Sequence, residues 1–363
     1  MMPGTLARYF GFRFLGVVVA VFFGLFALVL MVDFVEMLRR TSGLESASAL
    51  TILTITLCRV PHITERVLPF TVLIGAMVCY LNLSRRLELV VARASGMSAW
   101  QFLMPALVVA TLLGILVATV YNPVAAILRE QSQRMESELF GHVARNLHEV
   151  GSGFWVRQKS SEGQAIINAR ESRQQGVELV GVTVFKFDDA DSVLGRIEAK
   201  KAILQDRNWR LEGARVFLEG RPPEDHAFLD LSTHLTRAQI QESFATPETV
   251  PFWQLSSFIA LAENSGFAAI GYRLQYYQLL LLPIYLAAMV LLGAAVSLRL
   301  FRFGGVQKMV LGGIAGGFLL YVLSKVVGDL SKAGLMSAVV AAALPPFAGS
   351  VTAVTVLLYQ EDG

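Results

Sequence analysis

The residues of this chain that are able to do chemistry are not spaced to do it together. The histidines, His62, His142, His148, His226 and His234, are scattered. His148 is followed by Glu149, but the second histidine of an H-E-x-x-H metal motif is missing. Cys58 and Cys79 make no metal-ligand spacing with a histidine and sit in apolar surroundings, where a thiol reads as a small buried hydrophobe. No G-x-x-x-x-G-K-S/T loop is present to cradle nucleotide phosphates, and no G-x-S-x-G turn is present to present a nucleophile. Catalysis, a resident metal and nucleotide binding are therefore not expected of this chain.

The charged residues instead edge apolar runs. In residues 85–98, RRLELVVARASGMS, Leu87, Val90, Val91 and Ala94 recur at i, i+3, i+4 and i+7, ringed by Arg85, Arg86, Glu88 and Arg93. That is the spacing of a short amphipathic helix, with Ser84 placed as its N-cap and Gly96 as its stop. The stretch lies between apolar runs 67–83 and 99–121. One reading is a solvated loop whose arginines mark the inner side of a membrane. The other is a coupling helix laid into a groove of a cytoplasmic partner. A loop this short cannot turn its whole stripe to lipid, so a partner groove is the economical place to bury it. Each Leu or Val buried there contributes roughly 1.5–3 kcal/mol. Glu88 would set register more than affinity.

Composition supplies the elements that position this stretch. Hydrophobic residues make up 54% of the 363 and charged ones 16%, against about a quarter charged in soluble domains. The mean hydropathy is +0.55. The net charge of +3 and the absence of a basic stripe argue against nucleic acid. Six apolar runs read as membrane spans, 14–32, 63–84, 99–121, 279–298, 309–324 and 335–358. Arg8 and Arg13 precede the first, which reads as a retained anchor with a cytoplasmic N-terminus. Asp33 ends it, and Glu36, Arg39 and Arg40 follow about a turn apart. Pro69 marks the second span, and Asn122-Pro123 punctuate the third before a polar helix over 125–147. The fifth carries Gly312, Gly313, Gly316 and Gly317, two overlapping G-x-x-x-G pairs that admit another helix closely, either as packing within the chain or as a sliding interface. Lys325, Asp329 and Lys332 are read as the loop that follows it. No span carries a buried ionisable residue at its centre, which counts against an ion-coupled transporter or channel.

Between the third and fourth spans the period changes from helical to two. Val180, Val182 and Val184 are expected on one face, and Trp209, Leu211 and Gly213 alternate with Arg210 and Glu212. Short strands at regular spacing point to an antiparallel sandwich or barrel-like domain of about 100 residues, enough for its own core. A short amphipathic helix is expected over 252–262. The fold class is thus an α-helical polytopic membrane protein of six spans with an inserted all-β domain. The divisions are 1–147 with the coupling helix at 85–98, a β domain at 148–250, and a connecting helix with spans four to six at 251–363. A cytoplasmic N-terminus puts residues 85–98, residues 299–308 and the C-terminus inside and the β domain outside. The short inner loops carry somewhat more arginine and lysine than the outer ones.

With this layout the chain resembles the LptF/LptG family, the permease subunits of the bacterial ATP-driven lipopolysaccharide exporter. ELVVARASGMS from Glu88 resembles the family's coupling-helix signature. LPFTVLIGAM after Val67, DFVEMLRR ending the first span and GFWVR opening the β domain add to it, and these features look closer to the LptG type. The resemblance covers nearly the whole chain. It implies a multi-pass protein of the bacterial inner membrane, not itself an enzyme and without a cofactor, since ATP is bound by a partner. It implies pairing with a paralogous permease, a cytoplasmic ATPase dimer that meets Leu87, Glu88, Val90, Val91, Arg93 and Ala94, and a periplasmic bridge protein. Lipopolysaccharide would enter through lateral gates of the first and fifth spans, where Gly312, Gly313, Gly316 and Gly317 lie, and leave through a jellyroll-like periplasmic domain. Arg39 and Arg40 match positions where the family meets lipid phosphates, or else they anchor the helix at the interface. Asp33 stands where another lysine is expected, which lowers the expected number of phosphate contacts. A membrane-anchored enzyme would need a nucleophile or metal constellation in the β domain, and none is legible there. Copurification separates these classes, since a permease brings an ATPase with it.

Overall fold

The structure, a computed structural model, describes residues 4–41, 48–88, 91, 94, 96–140, 154–160, 163–173, 177–187, 193–205, 208–218, 222–233, 246–264, 269–297 and 306–362. The chain divides into two compact units, one of residues 1–135, 247–256 and 270–363, the other of residues 136–246 and 257–269.

The first unit is a bundle. Helix α1 (Gly4–Thr41) is followed by α2 (Ala49–Arg85), α3 (Ala99–Leu116), a π-helical turn (Val117–Tyr121) and α4 (Asn122–Phe140). After the insertion come a 3-10 turn (Pro247–Thr249), α5 (Phe252–Asn264), α6 (Ile270–Ser297), α7 (Val306–Lys332) and α8 (Ala338–Asp362). Among the described residues six helical stretches are long and apolar enough to cross a membrane, the third running Ala99–Glu136 through the π turn. The core sits where α2, α3 and α6 meet, around Leu73, Ala76, Phe102, Leu103, Leu286 and Met289. At Gly114 of α3 a Cβ would stand 2.4 Å from the Pro283 Cα of α6, so only glycine lets these backbones approach so closely.

Helix α1 buries residues fully only towards its ends, although Phe22 between them packs edge-on against Tyr121. Its buried residues are Phe10, Gly11, Phe14 and Val18 at one end and Asp33, Met37 and Thr41 at the other. Between them none is buried, and Phe23, Leu28 and Met31 are more than half exposed. Helix α2 begins fourteen residues before the apolar window that announced it. Ser48 caps it, accepting from Thr51 N at 3.1 Å, and Ile52, Ile55 and Val60 bury one stripe of the added turns. The α3 helix does not stop at Asn122-Pro123. Proline has no N–H to give Thr119, and the Asn122 N–H bonds back to Val117 instead, so the chain carries the proline through a π turn. Lys325, Asp329 and Lys332, read above as a loop, lie on α7. Val327 and Ser331 beside them are buried, and Lys325 pairs with Asp329 one turn on at 3.5 Å.

The second unit contains a six-stranded antiparallel sheet in sequence order, β1 (Phe154–Ser160), β2 (Gly163–Arg173), β3 (Glu178–Phe187), β4 (Val193–Gln205), β5 (Asn208–Leu218) and β6 (Glu224–Ser232). Its buried residues change parity along the strands. Leu179 is buried but so are Val182 and Val184, Ala199 but also Ala202, and Leu211 but also Ala214. Val180 therefore does not share a face with Val182 and Val184 as expected. The change falls at Gly181 and Gly213, which hold φ of +64° and +63° and so put two successive residues on the outer side. The pairing register is the same on either side, Val182↔Ala199 and Val180↔Lys201, because neighbouring strands turn at the same line. On the outer face Arg215 clasps Asp225 at 2.6 and 2.8 Å and holds its carboxyl below the usual carboxylate range.

Candidate functional site

The stretch at 85–98 departs from a single helix begun at Ser84. Tyr80 and Leu83 are buried, which draws α2 on through Ser84 to Arg85, so Ser84 lies inside a helix that is ending. Arg86 N donates to Asn82 O and Leu87 N to Ser84 O, both at 3.1 Å. Leu87 then takes φ +60°, a left-handed turn that glycine ordinarily fills at a helix end. Helical bonding resumes from there, Val91 N donating to Leu87 O at 3.0 Å. Gly96, at φ +83°, suits the stop expected of it. Leu87 is 61% and Val91 67% exposed, and Ala94 is exposed too. Val90 and Arg93 lie outside the described residues.

Glu88, by contrast, turns to α1. Arg13 Nη1 donates to its Oε1 at 3.1 Å and Tyr9 Oη to its Oε2 at 3.2 Å. Arg13 also donates to the Tyr9 hydroxyl one turn before it, and its guanidinium lies 5.7 Å from the Tyr9 ring centroid. In sequence Arg13 read only as a cation flanking a span. The i, i+4 pair Tyr9 and Arg13 was the available signal, but nothing in the spacing said which acid they would meet.

At the other end of α1, Arg39 and Arg40 are brought together by one acid. Glu36 accepts two bonds at 3.0 Å from Arg39 and one at 2.9 Å from the Arg40 Nε. Both guanidiniums remain largely exposed while sharing this carboxylate. Asp33 is buried and reaches Arg59 of α2 in a two-armed ion pair, with Nε donating to Oδ2 at 3.1 Å and Nη2 to Oδ1. Arg59 lies on α2 rather than in the loop before it, because that helix starts at Ala49, ahead of its apolar window.

A third polar group lies along α2. Asn122 donates to Glu65 Oε1 at 2.8 Å and accepts from the first amide of α5, Phe252 N, at 3.0 Å. Tyr121 donates to Pro61 O at 3.0 Å and lies 2.7 Å from the Thr64 hydroxyl. The Thr119 carbonyl, left free by Pro123, accepts from Trp253 Nε1 at 3.0 Å. Asp33 and His62 are thus buried and Glu65 half-buried, all at the ends of the apolar windows rather than at their centres, because the helices outrun those windows. Beside this group a cavity of about 340 Å³ opens between α2, α6, α7 and α8. Its lining passes from Arg66, Glu248 and Lys325 to Phe70 and Tyr285, polar at one part and apolar at another, which suits an amphiphile. Arg66 and Glu248, both in its lining, are ion-paired with each other.

The glycines of α7 divide by face. A Cβ at Gly313 would meet the Met77 side chain at 2.5 Å, and one at Gly317 would meet Leu73 at 2.3 Å, both on α2. Gly316 faces Leu292 of α6 at 3.3 Å, while Gly312 faces open space.

The profile of the family described as "Lipopolysaccharide export system permease LptF/LptG" matches residues 8–359. The chain belongs to the LptF/LptG family. It is 23% identical over 358 residues to the lipopolysaccharide export system permease protein LptG of Haemophilus influenzae, covering 95% of each chain. To the protein of the same name from Escherichia coli K12 it is 24% identical over 358 residues, covering 95% of this chain and 96% of the relative. The relatives are thus of the LptG type, and the likeness runs through both membrane halves and the β insertion. As an LptF/LptG permease the chain is a multi-pass membrane protein with an antiparallel β unit between its third and fourth spans. What sequence reasoning missed in this LptF/LptG chain are the partners Arg13, Tyr9 and Arg59, each one helix away from the acid it meets.

Proposed function

We propose that this chain is a permease subunit of an ATP-driven exporter that takes lipopolysaccharide from the bacterial inner membrane and passes it to a periplasmic bridge toward the outer membrane. The observation that carries the reading is the family match from residue 8 to residue 359, which spans both membrane halves and the inserted β unit. A paralogous permease completes the passage, and a cytoplasmic ATPase dimer supplies the energy, so hydrolysis belongs to the partner and no cofactor to this chain. The exposed stripe of Leu87, Val91 and Ala94 supports docking of that ATPase, with Val90 and Arg93 expected in the same segment. Two or three such side chains give a dock worth roughly 3–9 kcal/mol in apolar burial before the ordering costs of association, enough to hold and still reversible. The fork of Arg39 and Arg40 is assigned to the lipid headgroup, whose phosphates suit two exposed guanidiniums as charge-assisted hydrogen-bond acceptors. Gly312, on the open side of α7, is the glycine assigned to the lateral gate, while Gly313, Gly316 and Gly317 set the packing behind it.

The test is purification from native membranes with endogenous partners, followed by mass spectrometry of proteins and lipids. The expected result is an ATPase and a second permease in comparable amounts, with lipopolysaccharide bound. A chain recovered alone, without an ATPase, would refute the proposal.

A further inference from the structure

We propose that Arg13 is the positioning residue for Glu88, and that the Arg13–Glu88 ion pair carries movement of the 87–94 segment into helix α1. This deepens the proposed function and rests on its reading that the segment docks an ATPase. The segment has two kinds of side chain. Leu87 and Val91 are 61% and 67% exposed and offer a partner its apolar face. Glu88 does the opposite: both its oxygens are taken by α1, Oε1 by Arg13 at 3.1 Å and Oε2 by Tyr9 at 3.2 Å. The two side chains of the pair are only 20% and 28% exposed, which limits screening by water. The left-handed Leu87 stands immediately before Glu88 and divides it from the body of α2, so the acid is not simply continuing a face of that helix. Arg13 is itself held, by the Tyr9 hydroxyl one turn away, and is not a cation free to follow the acid.

Helix α1 is the element on which such a pull would act. It is buried at Phe10–Val18 and again at Asp33–Thr41 and nowhere between. Its first buried patch contains Arg13, and its packing partners are α2 and α3. A carboxylate shared between the segment and this patch makes their positions interdependent, which an ATPase contact to Glu88 alone would not do. A charge-assisted bond of this kind is directional enough to transmit a displacement. Exchanging the two charges tests this coupling directly, because it keeps an ion pair at the site while reversing its sense.

The experiment uses the full complex, purified with its second permease and ATPase, reconstituted with lipopolysaccharide. Arg13→Glu, Glu88→Arg, the double exchange and Arg13→Lys are compared by ATPase recovered per permease and by lipid-stimulated hydrolysis per assembled complex. Arg13→Glu is expected to keep ATPase recovery within twofold and to lose at least tenfold in lipid-stimulated hydrolysis. The double exchange is expected to recover at least threefold over Glu88→Arg, and Arg13→Lys to stay within a few-fold of wild type. Normal stimulation in Arg13→Glu, or a double exchange no better than Glu88→Arg, overturns the proposal. If Arg13→Glu does not accumulate, Arg13→Gln is read the same way. An exchange that restores accumulation but leaves hydrolysis per complex unchanged also overturns it, because the pair is then only structural. Leu87→Asp with Val91→Asp reads the dock separately: unchanged ATPase recovery there refutes docking, whatever the exchange does.

Discussion

Arg59→Leu should loosen α1 from α2 far more than Asp33→Leu does. The Asp33 side chain is 10% exposed and that of Arg59 14%, and they meet through two bonds, one of 3.1 Å from Nε and one from Nη2. Removing the guanidinium strands a carboxylate among apolar helices, a change that costs about 3–5 kcal/mol when one partner of a buried pair is deleted. Removing the acid instead leaves a cation on a long stem that is able to carry its head to water, so the loss is smaller. Replacing both with leucine removes the desolvation of both charges and should return stability to within about 1 kcal/mol of wild type or above it. Because α1 has no buried residue between Val18 and Asp33, the damage should concentrate at the Asp33–Thr41 end. The assay is thermal unfolding of the purified permease in detergent, with limited proteolysis after Arg39 and Arg40 as a local readout. The expected order is wild type and the double leucine variant together, Asp33→Leu below them, and Arg59→Leu lowest and cut fastest. If Arg59→Leu melts with wild type, or the double variant melts with Arg59→Leu, the pair is not what holds this end.

Further expectations rest on other parts of the chain. Leu87→Asp with Val91→Asp should cut ATPase recovery at least tenfold with the permease still folded, while normal recovery would show the exposed stripe to be only a loop. Gly114→Leu drives side-chain atoms into Pro283, whose Cα already stands 2.4 Å from a Cβ there, and should destabilise by about 1–3 kcal/mol or prevent folding, read by detergent melting. Arg39→Gln with Arg40→Gln should lower lipid transport with assembly intact; failure to assemble would make the fork structural, and normal transport would leave it as an interfacial anchor. A cysteine at Ser192 should be labelled from outside intact spheroplasts by an impermeant thiol reagent and one at Gln360 should not, in a background lacking Cys58 and Cys79. The reverse labelling would overturn the orientation.

The span count and the β insertion were legible because they depend on period and composition alone. Apolar runs of about 20 residues have few other uses, and the period-two stretches at Val180–Phe185 and Trp209–Gly213 point to strands rather than helix. Element ends were less legible. Ser48 with Thr51 is a readable cap and residues 49–58 are mostly apolar, but Arg59, Pro61, His62, Glu65 and Arg66 interrupt the run, so the uninterrupted apolar window begins well after the helix does. Asn122-Pro123 looked like a stop because proline usually is one. A π turn and a tryptophan from elsewhere in the chain absorb it here.

The sequence by itself determined that this is a six-span membrane protein with a β insertion, and the family likeness was legible along nearly its whole length. Those are properties of local periodicity, which a one-dimensional pattern contains in full. Which charges meet was decided only by the tertiary structure. Asp33 and Arg59, and Glu65 and Asn122, lie on different helices, and Arg13 of α1 meets Glu88 in the segment after α2, so each pairing depends on how these parts pack. The strand parity was decided the same way. Val180 to Val184 alternates evenly in sequence, but Gly181 at φ +64° turns the chain over between them. A conformation that only glycine adopts easily is permitted by the sequence there, and it is the neighbouring strands, turning at the same line, that require it.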